Sequence, residues 1–185
     1  MNAQEIFQEG QQLFMSGRVR EAIDKFGEAL AAGYDPVVVQ LSRGAALINT
    51  RNFDQAVNDF NQVLVREPLN ERALYFRGVA FLNEEAFERA LADLDQAIHL
   101  NPQRGAAFLA RALAKAELGQ EEAAANDFKM AAAYSKVEIE GFIHTMGEDR
   151  TRFARSMALL EGDRGPLGEV LTEEEIERLK NWIEP

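Results

Sequence analysis

The chain has no cysteine, two histidines and one tryptophan in 185 residues. Without cysteine, disulfides and thiolate metal sites are excluded outright. No apolar run reaches the 18 residues that mark a membrane-spanning helix. The opening residues, Met1 to Phe7, hold neither a basic stretch nor an apolar signal core, so export is not expected and the cytoplasm is the default location. Basic residues are also scarce, 20 Lys and Arg against 31 Asp and Glu, for a net charge of −11. A phosphate backbone is bound by clustered Lys and Arg that displace counterions. No such run exists here, so nucleic acid is not an expected partner. The acidity reads first as solubility; the sharper alternative is an acidic surface that meets a basic partner.

What is present is a repeat. Gly10, Gly44, Gly78 and Ala112 stand 34 residues apart, and so do Ala22, Ala56, Ala90 and Ala124. Phe26, Phe60, Leu94 and Phe128 keep the same interval, as do Ala29, Val63, Ala97 and Ala131. One supersecondary unit has been copied along the chain, and each copy must pack on its neighbours to bury its apolar face. Each copy reads as two antiparallel helices. In the third, Glu71–Glu84 carries an apolar stripe at helical spacing, and Phe87–Leu100 carries Ala90, Leu91, Leu94, Ala97 and Ile98 on one side. Breaks fall at Ser16-Gly17, Thr50-Arg51-Asn52, Asn83-Glu84-Glu85 and Leu118-Gly119-Gln120. Pro102 stops the second helix of its copy, because proline disfavours helix in the residue before it. The bare backbone at the glycine positions lets two helices approach closely, so that Gly78→Leu is expected to overpack the crossing.

A second periodic series is charged. Arg43, Arg77 and Arg111 are 34 apart, and Asp59, Asp93 and Asp127 follow at the same interval. In the first copy the matching residues are Glu9 and Lys25, so both charges have swapped together. A ligand site does not explain a coupled reversal. The pattern predicts a ladder of ion pairs within or between copies, each worth about 0.2–1 kcal/mol if partly exposed.

These residues identify a resemblance. Small-x-x-apolar, then Ala-x-x-x-aromatic-x-x-Ala, then Pro resembles the tetratricopeptide repeat. The clearest copy has Leu74, Gly78, Phe81, Ala90, Leu94, Ala97 and Pro102. The first copy puts Tyr34 in the proline slot, and the fourth has Lys115 at the usual tyrosine and Lys136 for proline. The resemblance implies an all-α, right-handed superhelical solenoid of four repeats over residues 3–138, divided as 3–36, 37–70, 71–104 and 105–138. Residues 139–185 then read as a helical extension that caps the array. It comprises Ile139 to Leu160 at helical spacing, a loop at 163–168, and a last helix from Thr172 opened by a Thr172–Glu175 capping box and holding Trp182.

The family lines its concave face with the first helix of each repeat. By that resemblance the groove rows are Phe7, Leu41, Tyr75 and Leu109, then Phe14, Ile48 and Leu82, with Ala45, Val79 and Leu113 between. Open apolar rows of this kind mark a partner site and suit an apolar peptide or helix laid in a groove. The family's carboxylate clamp for chaperone tails uses lysine, asparagine and arginine; its slots here hold Phe7, Gln11, Ser42, Arg72 and Phe76. Only Arg72 is basic, so that ligand is not expected, and Arg72 is the one group placed to meet a partner's carboxylate. The groove is thus expected to take a protein or peptide with apolar side chains, to be filled by residues 139–185, or to pair with a second copy of the chain.

Catalysis, metal and cofactor are not expected. An active site needs converging groups with tuned protonation. His99 falls at the end of a helix, where a cation suits the dipole. His144, with Glu140 and Glu148 four residues to either side, has a metal-ligand spacing but reads as a solvated face. The chain has no nucleophile elbow, phosphate loop or zinc-helix motif, and Asp93, Asp95 and Glu173–Glu175 read as acids on helix surfaces and starts.

Overall fold

A computed structural model describes residues 1–134, 172–174 and 176–177. The helical stretch expected from Ile139, the loop at 163–168, His144, Lys136 and Trp182 lie outside the described residues. Of the last expected helix, residues 173–174 and 176–177 are helical, and the Ile176 amide donates to the Thr172 carbonyl at 3.0 Å.

The described residues form eight α-helices and no strand, an all-α repeat fold. They are α1 (Ala3–Met15), α2 (Val19–Ala31), α3 (Pro36–Asn49), α4 (Phe53–Arg66), α5 (Glu71–Asn83), α6 (Phe87–Leu100), α7 (Gly105–Glu117) and α8 (Glu121–Ala133). The second helices begin at Val19, Phe53, Phe87 and Glu121, each 34 residues after the last. Three residues separate the helices of every pair, too few for anything but antiparallel neighbours. The chain divides into two compact units, Met1–Ala80 and Phe81–Pro185. In the first, α1 packs on α2, α2 on α3 and α3 on α4; in the second, α6 packs on α7 and α7 on α8.

The periodic residues are the core. Ala22, Ala56, Ala90 and Ala124 are completely buried, as are Phe60, Leu94 and Phe128, with Phe26 nearly so. The glycines of the first helices face these rings. A Cβ built on Gly10 would lie 2.8 Å from Phe26, and one on Gly44 would lie 2.6 Å from Phe60. Real side chains do not approach so closely, so in both pairs the ring occupies the space that any other residue's Cβ needs.

The turn within each pair has one geometry, which the sequence only half reveals. Arg18 donates its amide to the Leu13 carbonyl at 2.9 Å, and Gly17 donates to Phe14 at 3.0 Å. The same two bonds recur from Asn52 and Arg51, from Ala86 and Glu85, and from Gln120 and Gly119. This is the Schellman closure, which requires a left-handed residue just past the helix. That residue is Gly17 (φ 79°), Arg51 (61°), Glu85 (60°) and Gly119 (74°), again at 34-residue intervals. The first repeat also ends α2 this way. Gly33 (φ 86°) is left-handed there, and the Tyr34 amide donates to the Ala29 carbonyl at 3.0 Å. A glycine closure thus replaces the proline stop, and Tyr34 is free to turn its ring onto Phe7 at 4.7 Å between centroids.

Two stability outcomes follow. Gly44→Ala is expected to lower unfolding free energy by roughly 1–3 kcal/mol through overpacking against Phe60. Conversely, Arg51→Gly and Glu85→Gly are each expected to stabilise by about 1 kcal/mol, the cost of holding an L-residue in the left-handed region. Urea midpoints with unchanged slopes check both; a neutral Gly44→Ala contradicts the crossing geometry.

Candidate protein-binding site

The first helices carry the residues expected to line a groove. α3 shows how the sequence places them: Asp35 accepts hydrogen bonds from the Val37 and Val38 amides at 2.9 and 3.3 Å, with Pro36 in the first turn. This caps the helix and fixes its start.

The expected rows are not open surface. Phe7 is buried in the core of its own pair, its ring 5.5 Å from Phe26 and stacked on Tyr34. Phe14 is half-buried against the same cluster. Leu41 and Tyr75 are only 8% and 5% exposed, and Ile48, Val79, Leu82 and Leu109 are completely buried, with Leu113 nearly so. On α7, ten of thirteen residues are buried, which leaves no broad solvent face on that helix. Helical spacing identified which residues share a face; it did not distinguish a covered face from an open one.

What stands exposed on the first helices of the N-terminal unit is a different row. Gln4, Val38 and Arg72 are exposed at 34-residue intervals, and Val38, 38% exposed, was not among the expected residues. The signal for it was available: Val38 occupies the position in its repeat that Arg72 occupies in the next. Arg72 lines an open hollow of about 660 Å³ with Pro68, Leu69 and Asn70. Asn70 caps α5 by accepting from the Ala73 amide at 3.0 Å. A cation in the first turn opposes the helix dipole, so helix stability does not explain Arg72. Leu69 beside it is 72% exposed. His99 is exposed in the last turn of α6.

The charged ladder is largely as expected. Arg43 grips Asp59 through Nε at 2.8 Å and Nη2 at 2.6 Å, and Arg111 grips Asp127 at 2.7 and 2.6 Å. Lys25 and Glu9, the reversed pair, stand 3.4 Å apart. The rungs also link repeats: Arg77 Nη1 donates to Asn61 at 2.6 Å, and Arg111 Nη1 to Asp95 at 2.7 Å, each in the preceding copy. Lys115, the departure from the family's tyrosine, donates to Asp127 at 2.7 Å and adds a second cation to that carboxylate. The hydrogen bond from Arg43 to Asp59 raises the arginine pKa, against the opposing effect of burial. For Arg111 burial is the largest influence and works to lower it, but Asp127 and Asp95 together outweigh it and the net shift is upward. Both arginines are thus held charged.

This geometry defines a class: tandem helical hairpins, with Arg77 and Arg111 each reaching into the preceding copy. Residues 41–105 match the family model of the tetratricopeptide repeat. No curated protein matches the sequence. Among solved structures, it resembles a MamA fragment from Desulfovibrio magneticus RS-1 with 20% identity and a TM-score of 0.66, over 71% of this chain and 75% of that one. It also resembles YrrB, a TPR protein with an unusual peptide-binding site, at 17% identity and TM-score 0.64, covering 84% and 74% respectively. A tetratricopeptide repeat protein from Parabacteroides merdae ATCC 43184 aligns at 20% identity and TM-score 0.65, over 98% of this chain and 70% of that one. Over residues 41–105 the repeats match the tetratricopeptide type, and the likeness to these structures shows the all-α repeat fold. Among the described residues no helix is long and apolar enough to cross a membrane.

The Arg43–Asp59 rung is the most testable. Asp59 is 2% exposed and Arg43 23%, so removing the cation leaves a buried carboxylate. Arg43→Leu is expected to cost roughly 3–5 kcal/mol. Adding Asp59→Leu should recover part of that loss, and a double-mutant cycle by urea unfolding measures the coupling. Strict additivity contradicts the pairing.

Proposed function

We propose that this chain is a non-catalytic, cytoplasmic protein-binding module, a scaffold, adaptor or peptide chaperone. Its first-helix face meets a partner peptide that carries apolar side chains and a carboxylate. The observation that carries this reading is Arg72, a cation set against its own helix dipole beside exposed Leu69, with Val38 in the same row. Tandem repeats of this family are protein-interaction modules, and YrrB, similar in fold, is described as holding an unusual peptide-binding site. The proposed organisation is four repeats over 3–138 with 139–185 as a capping extension. The groove residues Phe7, Phe14, Leu41, Ile48, Tyr75, Val79, Leu82, Leu109 and Leu113 are then mostly buried, and Val38 and Arg72 are the accessible residues of the first-helix face in the N-terminal unit. Their burial favours a second reading, in which the apolar rows are filled by residues 139–185 of the same chain; a self-associating assembly scaffold is the other alternative.

The test compares proteins captured from native lysate by the wild-type chain with those captured by a Val38→Glu, Arg72→Glu variant of equal helicity. These exposed positions tolerate charge, whereas Leu41→Glu and Tyr75→Glu would bury a carboxylate. A partner lost only with the variant is expected. Identical sets with both baits remove the first-helix face as the site.

A further inference from the structure

A second surface lies on the N-terminal unit, built on the second helices α2 and α4 and on Arg43 and Leu47 of α3, and includes neither Val38 nor Arg72. A hollow of about 690 Å³ is lined by α2 and α4, with Arg43 and Leu47 of α3 between them, a volume within the range of side-chain and ligand pockets. It opens where the ladder is broken. The series that supplies an acceptor to each arginine runs Gly27, Asn61, Asp95 at 34-residue intervals. Arg77 and Arg111 spend Nη1 on Asn61 and Asp95. Arg43 spends Nε and Nη2 on Asp59, while its Nη1 has no acceptor among the described residues. Gly27 has no side chain to offer, and a Cβ built there lies 3.7 Å from that nitrogen. The glycine therefore removes both the acceptor and the atoms that would fill the space.

The charge around this open donor is of the other sign. Asp24 and Glu28, four apart on one face of α2, and Asp54 on α4 line the same hollow. Glu28 pairs with Lys25 at 2.9 Å; Asp24 and Asp54 have no ion-pair partner among the described residues. An anion attracted by Arg43 would meet these carboxylates, and a purely apolar group would leave both the donor and the acids unanswered. The occupant that answers both is neutral at its acceptor and cationic close by.

We propose that this hollow docks a basic peptide segment of a partner protein, a backbone carbonyl accepting from Arg43 Nη1 and an adjacent lysine or arginine settling between Asp24 and Asp54. The carbonyl takes the place that Asn61 and Asp95 fill in the later repeats. This site goes beyond the first-helix reading and stands or falls separately from it.

The test titrates the ¹⁵N-labelled full chain with an acetylated, amidated pentapeptide of alternating alanine and lysine. Shifts are expected at Asp24, Gly27 and Gln55 and at the Arg43 Nε resonance. The decisive variant is Gly27→Asp. It restores the missing acceptor, fits the space and is no worse a helix former than glycine. Although it adds a negative charge, it is expected to weaken binding at least about tenfold. Gly27→Ala adds no acceptor and is expected to keep wild-type affinity, whereas Asp24→Asn with Asp54→Asn is expected to lose it. The Val38→Glu, Arg72→Glu variant should bind the peptide normally. Unchanged or tighter binding by Gly27→Asp would show that only diffuse acidity attracts the peptide, and would overturn the proposal. Equal losses in the alanine and aspartate variants, shifts scattered over the acidic surface, or no binding at all would overturn it too.

Discussion

The first two helical pairs depend on an aromatic ring pressed against bare backbone. Gly10 meets Phe26 and Gly44 meets Phe60 inside the distance that any Cβ needs. That contact sets how near the two helices come, and the rest of the pair follows from it. Beside it the Arg43 guanidinium meets the Asp59 carboxylate with two parallel bonds, the fork geometry that favours arginine over lysine. The three-residue turn is tight for the same reason: a Schellman closure reverses the chain without holding the helices apart. The turn recurs in all four pairs at the same interval, while the ring on glycine and the arginine fork recur only where the sequence keeps those residues.

The shared interval explains how much was legible. A 34-residue period in small and aromatic residues can only persist if each copy packs alike, and the burial of Ala22, Ala56, Ala90 and Ala124 is its direct expression. The ion-pair ladder was legible because Glu9 and Lys25 reverse together, a constraint that only contact imposes. The turn residue was half hidden, since Arg51 and Glu85 occupy a position where Gly17 and Gly119 state the backbone requirement openly. The groove was the least legible. Period and spacing say that Phe7, Leu41, Tyr75 and Leu109 share a helix face, and the family says which face that is. Neither says whether it is covered, because solvent exposure depends on what else packs there. Phe7 shows the ambiguity at one residue: it holds a groove slot in register and a core slot in fact, turned inward onto Phe26 and Tyr34.

The arginines do more than close a pair. Arg111 holds Asp127 in its own repeat and Asp95 in the one before, and Arg77 reaches back to Asn61. In an array stabilised by nearest-neighbour interfaces, such a side chain couples the formation of one repeat to that of its neighbour. Both bonds across the seam are exposed, so solvent and salt weaken them relative to the buried forks within a repeat. Gly27 is the exception to this coupling. Its repeat is joined to the next by α2 on α3 packing, without an arginine bond across the seam at this position. A helix interior is a poor place for glycine, at roughly 0.5–1 kcal/mol relative to alanine, so the gap carries a stability cost of its own.

The overall acidity takes on a different meaning once the carboxylates are sorted by partner. Asp59 and Asp127 are buried and held by arginine, so they contribute to the net charge but not to the field a partner meets. Glu9 and Glu28 are shared with Lys25. The charge left facing solvent near α2 and α4 is carried by acids such as Asp24 and Asp54, beside the guanidinium edge that Gly27 leaves open. Net charge alone supports no more than solubility. An acidic rim around an arginine donor without its acceptor is a narrower condition, because it discriminates against anions, against apolar groups and against bare cations at once. Selectivity of that kind comes from the side chain missing at position 27, and the residues around it are otherwise those that hold the fold together.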